Sequence, residues 1–347
     1  MAEEQAQPEK AHGLDGGWLP EWGQMELLRP EPEPPFQSPS ELKMLWGEHW
    51  GAADDVGPLK VVLMRRPGRE FEGLADPSCW RPELDMYCEP KRGVYWHGAS
   101  PPDMTRVAAQ HQGLADALEA EGVRVVFAEE APPNLRSAVF VRDPLVTVRG
   151  GAIICRLAAR SRRGEEASVT RTVAAQGMPI LHTISGTGLM EGGTFVKLRP
   201  DVAVAGMGLR CNAEAARQLQ DVLRPLGVEL IVVPLPGFLI HIDGALAMVD
   251  VDRALVHASG LPWWFLERMR ELHIELLWCH PDPGEAAAVN CLAVRPGRVI
   301  MARGAPRTAE MLERRGIDVV TVDYDEIMKN DGGVHCSTME LLREDAS

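Results

Sequence analysis

The chain has no long run of lysine or arginine, and its net charge is −14. A phosphate backbone needs a basic footprint, so nucleic-acid binding is excluded as an expectation. No stretch approaches the roughly 18 apolar residues of a membrane-crossing helix, and no membrane partner is expected. There is no basic segment followed by an apolar run at the N-terminus, as a secretory leader would show. Seven cysteines are present, an odd number, with no C-x-x-C pair, which argues against both a disulfide framework and a zinc ribbon. Reduced thiols and no leader make the cytoplasm the expected compartment. Also missing are a G-x-G-x-x-G loop after a strand, a Walker loop, a G-x-S-x-G elbow and the dense Asp/His cluster of a manganese hydrolase. Neither a metal nor a cofactor is therefore expected.

What is present falls into two parts. Residues 1–40 hold seven prolines, among them Pro30, Pro32, Pro34, Pro35 and Pro39. We read residues 1–56 as a proline-rich extension, partly mobile, that Trp18, Trp22 and Phe36 could pin as a strap. Residues 57–347 read as a single catalytic domain of α/β class. Leu59–Met64 reads as the first strand. From there one unit recurs: an amphipathic helix, a glycine that supplies a left-handed cap, and a strand directly after it. The helices are expected at 104–121, 167–176, 213–224, 263–272 and 307–315. In the fourth, His273 stands where the glycine would be. Five such copies favour a ring with pseudo-fivefold symmetry, a five-bladed α/β propeller. A plain α/β sandwich with accidental spacing is the alternative.

After each unit's strand, a polar residue precedes another apolar strand. These residues are Asp143, Glu191, His241, Asn290 and Cys336, at steps of 48, 50, 49 and 46 residues. In a closed ring, equivalent positions converge on the axis. Taken singly, each has a plainer role: Asp143 closing a turn, Glu191 as a turn acid, His241 as a satisfied core histidine, Cys336 as a small buried apolar residue. Asn290 we read as structural. As a set they suit one chemistry. Two carboxylates can hold a planar guanidinium, a thiolate can add to its carbon, and a histidine can protonate the departing amine and then activate water. His280 and His335 adjoin cysteines, but neighbours on a strand face opposite ways, which disfavours zinc there.

These motifs resemble those of the pentein superfamily of guanidino-group-modifying enzymes: arginine deiminase, dimethylarginine dimethylaminohydrolase and the amidinotransferases. They are Phe-Val-Arg-Asp-Pro (140–144), Glu-Gly-Gly (191–193), His-Ile-Asp (241–243), Asn290 with the strand that follows, and Gly-Gly-Val-His-Cys (332–336). The resemblance implies a five-bladed α/β propeller, Cys336 as nucleophile, His241 as acid and base, and Glu191 and Asp143 as guanidinium ligands. The second acid, Asp243, which the dimethylarginine enzymes generally lack, resembles the deiminases and amidinotransferases, and the pair Arg142-Asp143 resembles the deiminases. Arg210, and Arg162 or Arg163, lie where deiminases carry arginines for the substrate carboxylate. The helical insertion typical of bacterial deiminases is missing.

The resemblance thus implies hydrolysis of arginine or an analogue to a ureido product, with a small guanidino compound as partner and a homodimer left open. An arginine-dependent amidinotransferase and a dimethylarginine hydrolase are the alternatives.

Overall fold

The structure, a computed structural model, describes residues 39–346 except 91–92, 133–134 and 136. The anchors Trp18, Trp22 and Phe36 lie outside the described residues. Pro39–Trp46 is a short helix. Trp50, Ala52 and Val56, placed by sequence in the extension, are buried. Gly51 exchanges backbone hydrogen bonds with Leu341 and Arg343 near the C-terminus.

The fold is mixed α/β. Five of its three-stranded sheets repeat one pattern. A first strand pairs antiparallel with a second; the chain then passes through a helix and returns as a third strand parallel to the second. The sheet built on Leu145–Val148 continues through Gly151–Ile154, the helix Glu165–Ala175 and Ile180–Thr183. The next begins at Phe195–Arg199 and continues through Val202–Met207, the helix Ala213–Leu223 and Glu229–Pro234. A third starts at Leu246–Asp250 and a fourth at Leu292–Arg295, with helices Trp263–Glu271 and Pro306–Arg314. The remaining sheet joins the two ends of the chain. Its first strand is Met339–Arg343 and its second is Leu59–Met64, followed by the helix Met104–Ala120 and Arg124–Phe127.

Burial follows strand position. First strands such as Leu246–Asp250 are buried throughout, whereas third strands such as Glu229–Pro234 alternate between buried and exposed. A third strand therefore has one wet face, and the first strands form the interior. The helix Met104–Ala120 buries Val107, His111, Leu114 and Leu118, the face its sequence periodicity gives, and the Asp103 carboxylate caps it by accepting from the Arg106 N–H at 3.0 Å.

First strands lie beside one another. Leu246–Asp250 touches both Phe195–Arg199 and Leu292–Arg295. Met339–Arg343 touches Leu145–Val148, and its partner strand Leu59–Met64, the second of that sheet, touches Leu292–Arg295. Lys197 donates to the Thr147 carbonyl at 3.2 Å, linking the sheets that begin at 145 and 195. A sixth sheet, Trp80–Arg81, Met86–Glu89 and Val94–His97, is inserted between the first strand of the chain and its helix. No helix among the described residues is long and apolar enough to cross a membrane.

Candidate active site

Each of the five polar residues sits just before an interior strand. Glu191 and His241 have extended backbones and each leads into a one-turn 3₁₀ segment, Gly192–Thr194 and Ile242–Gly244, before the strand begins. Close approach is secured by Gly193. A Cβ there would lie 2.8 Å from His241 Nδ1 and 3.1 Å from Asp143 Oδ1, and its own N–H donates to Asp143 Oδ1 at 3.1 Å.

Three of the predicted residues meet directly. His241 Nε2 is 2.8 Å from Glu191 Oε2 and 3.7 Å from Asp143 Oδ1. All three are buried. Glu191 Oε1 also accepts from the N–H groups of Ala158 and Ala159, both at 3.1 Å. Burial opposes charge on every one of these groups. For His241 the charges of Asp143 and Glu191 and the Glu191 hydrogen bond outweigh it and raise the imidazole to about 9. For Glu191 the hydrogen bond and charge of His241, with Arg162 and Arg210, hold the carboxylate well below its ordinary value. The acids around His241 thus favour its protonated form.

Arg210, expected at a substrate carboxylate, donates instead to both oxygens of Glu191 at 2.9 Å and is part-exposed. Arg162 is buried and bonds the Asp143 carboxylate, and it forms a fork with Glu165 through Nε at 3.0 Å and Nη2 at 2.8 Å. Arg163 is exposed and donates to the Leu157 carbonyl at 3.2 Å. Of the two adjacent arginines, Arg162 is the one that reaches the cluster. Asp143, Glu191 and His241 offer donor atoms within 4.8 Å of one another, a spacing that could hold a metal ion. In the structure these acids face the His241 imidazole and the guanidinium groups of Arg162 and Arg210.

Cys336 is 8% exposed and lies at the end of the Gly332-Gly333 loop. Asn290, read from sequence as structural, grips this loop. Its Nδ2 donates to Cys336 Sγ at 3.0 Å, and its Oδ1 accepts from the N–H of His335 at 2.9 Å and of Cys336 at 3.3 Å. Burial, then the charges of Asp243 and Asp143, push the Cys336 thiol up to about 12 against the opposing Gly333 and Asn290 hydrogen bonds. His335 supplies the remaining link, its Nδ1 lying 2.8 Å from Asp243 Oδ2. The sequence reading missed this contact. A strand register puts His335 opposite its neighbour Cys336, but the segment is a turn, and no spacing in the sequence signals a pair 92 residues apart.

The family described as N,N dimethylarginine dimethylhydrolase, eukaryotic, matches residues 103–343. The chain is 33% identical over 242 residues to N(G),N(G)-dimethylarginine dimethylaminohydrolase of Pseudomonas aeruginosa, covering 69% of this chain and 90% of the relative. It is 32% identical over 285 residues to the Streptomyces coelicolor enzyme of the same name, covering 82% and 98%. Among solved structures, a cysteine-to-serine mutant of the Pseudomonas enzyme complexed with citrulline superposes with a TM-score of 0.67 at 27% identity, covering 82% of this chain and all of the other. An arginine deiminase of Mycobacterium marinum matches at 26% over 398 residues, covering 85% and 98%.

The expected leaning toward arginine deiminase is corrected by these relatives. It rested on Asp243, on the pair Arg142-Asp143 and on the arginines expected at a substrate carboxylate; in the structure Asp243 is engaged by His335 and Arg210 by Glu191. The chain belongs to the dimethylarginine dimethylaminohydrolase family, within the pentein superfamily of guanidino-modifying enzymes.

Proposed function

We propose that the chain is a cysteine-dependent hydrolase that converts a methylated arginine into citrulline and a methylamine, and that its five repeated sheets close into a five-bladed α/β propeller, one domain with the site on its axis. The observation that carries this reading is the buried Asp143–Glu191–His241 cluster, with Arg142, the neighbour of Asp143, donating its N–H to the Cys336 carbonyl at 3.1 Å. The two carboxylates would take the guanidinium. Arg210 would leave Glu191 for the substrate's α-carboxylate, as arginines at this position do in the resemblance. The incoming cation stabilises the thiolate, lowering a thiol that burial otherwise keeps protonated. Sulfur then bonds to the guanidino carbon. The His241 imidazolium gives its proton to the departing amine, which leaves with the C–N bonding pair. A cationic thiouronium remains on Cys336. Neutral His241 then takes a proton from water, whose oxygen bonds to the same carbon. Cleavage of the C–S bond returns the electron pair to sulfur as thiolate, and the remaining hydroxyl proton passes to the released amine or to solvent, which yields the neutral ureido product.

A relative supports the covalent step: a dimethylarginine dimethylaminohydrolase variant with histidine replaced by glycine is known as an adduct with S-methyl-L-thiocitrulline. Arginine itself is a second reading, favoured by the buried acid Asp243, two residues from His241. Incubation with asymmetric dimethylarginine, monomethylarginine and arginine separates the two. Citrulline with dimethylamine or methylamine is expected, and citrulline with ammonia from arginine alone would favour the second. Ornithine formed only with an added amine would mean amidino transfer. The Cys336→Ala variant should keep its fold and lose roughly a thousandfold or more in turnover; normal turnover would overturn the mechanism.

A further inference from the structure

The sulfur of Cys336 is met by the side-chain amide of Asn290, 46 residues earlier in the chain, with Nδ2 3.0 Å from Sγ. An amide can be turned either way about its last bond, and here its surroundings decide. Oδ1 accepts from the N–H of His335 at 2.9 Å and from the N–H of Cys336 at 3.3 Å. Turned over, the NH2 group would face two N–H donors and the oxygen would face the sulfur. Nδ2 is therefore the atom that meets Sγ.

The amide is also held in place. Asn290 closes the 3₁₀ segment Pro283–Val289, its own N–H donating to the Ala287 carbonyl at 3.1 Å, and the strand Leu292–Arg295 begins two residues on. Gly333, in the nucleophile loop, packs against it. A Cβ there would lie 2.5 Å from Asn290 Oδ1 and 3.0 Å from its Cγ. The loop that carries the nucleophile and the amide that meets it are built against each other.

A donor at this place distinguishes the two forms of the sulfur. A neutral thiol is a weak acceptor, whereas a thiolate accepts strongly. A donor fixed on Sγ therefore favours the thiolate. A lysine or an imidazolium would do so too, but its charge would repel a cationic guanidino group beside the sulfur. A neutral amide does not. Burial and the charges of Asp243 and Asp143 keep the thiol protonated, and the Asn290 hydrogen bond opposes them before any substrate arrives.

Resting on the hydrolase reading above, we propose that Asn290 is a catalytic residue, whose Nδ2–H binds the Cys336 thiolate and holds the sulfur for attack on the guanidino carbon. The same N–H receives the sulfur's returning electron pair when the C–S bond breaks, so the amide serves both halves of the turnover.

Two variants separate donation to sulfur from support of the loop. Asn290→Ala removes both. Asn290→Asp keeps an oxygen for the N–H groups of His335 and Cys336 but has no N–H for the sulfur. Thiolate content is read as the rate at which iodoacetamide, a neutral probe, alkylates Cys336 at fixed pH, followed by mass spectrometry of the Cys336 peptide. In both variants this rate should fall about threefold or more. Turnover of the methylated arginine should fall about tenfold or more in kcat, with KM within about threefold. The aspartate charge itself disfavours thiolate, so the joint fall must appear in Asn290→Ala as well. Should that variant not fold, Asn290→Ser, whose hydroxyl is too short to reach the sulfur, takes its place. Wild-type values in either variant, or a lower kcat with alkylation unchanged, would overturn the proposal and leave the amide as a support of the loop. Failure of the hydrolase reading would look different: wild type would release a ureido product from no guanidino compound, while the difference in alkylation would still be seen.

Discussion

At the scale of single residues, His241 is where charge and packing meet. Its imidazole is raised to about 9 because Asp143 and Glu191 outweigh burial. A group with a raised folded pKa contributes stability that is fully present below its unfolded value of about 6.5, and that stability is lost as pH climbs through about 9. The linked stabilisation is on the order of 3 kcal/mol. An NMR titration of the His241 ring should show a midpoint near 9, and the stability advantage over His241→Gln should shrink between pH 6.5 and 9. A midpoint at or below 6.5 would show that the carboxylates do not hold the proton.

Gly193 sets the same geometry sterically. The alanine Cβ would press on the ring at 2.8 Å from Nδ1, so Gly193→Ala should cut kcat/KM at least tenfold, with a stability cost of about 1–3 kcal/mol. Unchanged kinetics would mean that the imidazole can shift freely.

The meeting of Asp143, Glu191 and His241 was legible because chemistry-bearing residue types recur at near-equal steps, and spacing survives folding when units repeat. Asn290 shared the spacing, yet its contact with Cys336 Sγ did not follow from its type. An amide serves a loop or a sulfur equally well, and only geometry separates the two uses. The engagements of Asp243 by His335 and of Arg210 by Glu191 were hidden for another reason. Which acid pairs with which base depends on turn conformation, which hydrophobic pattern does not encode.

At the scale of elements, the helix-to-strand junctions show how local chemistry fixes the repeat. After four of the five helices a glycine takes the left-handed conformation, as Gly122 does with φ 80° and Gly227 with φ 72°. After Trp263–Glu271 the position is His273, and it adopts φ 62° nonetheless. The junction geometry is thus imposed by the sheet, and the residue bears the strain. A side chain in this region costs on the order of 1 kcal/mol relative to glycine. His273→Gly is expected to raise the urea midpoint by a corresponding amount without altering activity; lower stability would mean that the histidine contributes packing that offsets its backbone. Helix positions were readable to within about three residues because each has an apolar face and a capped end. The sheet at residues 80–97 was not. Its strands are two to four residues long, too short to establish an alternating pattern, and its partner surface lies more than two hundred residues away at Asn330 and Asp331.

At the scale of the whole molecule, the question is what ties the sheets together where their first strands converge. A buried charge cluster does so. Glu340, on the strand that joins the ends of the chain, pairs with Lys197 Nζ at 2.7 Å and Arg142 Nη1 at 2.8 Å. Lys197 also meets Asp55 at 2.9 Å. One carboxylate thereby connects the C-terminal strand, the segment leading to Asp143 and the strand after Glu191. Burial raises the cost of charge on Glu340, but Arg142, Lys197 and Arg343 outweigh it and hold the carboxylate ionised. Well-packed apolar residues could in principle replace the whole cluster at little cost, whereas removing a single partner strands the others without compensation. Glu340→Ala should therefore destabilise the protein by about 3–5 kcal/mol in urea unfolding. It should also disturb the site, because Arg142 adjoins Asp143 in the chain and its N–H donates to the Cys336 carbonyl at 3.1 Å. The expected signature is a loss of stability together with a fall in kcat for the guanidino substrate. A cost below about 1 kcal/mol would mean that strand packing alone holds the sheets in register, and that the cluster is a tolerated passenger of the interior.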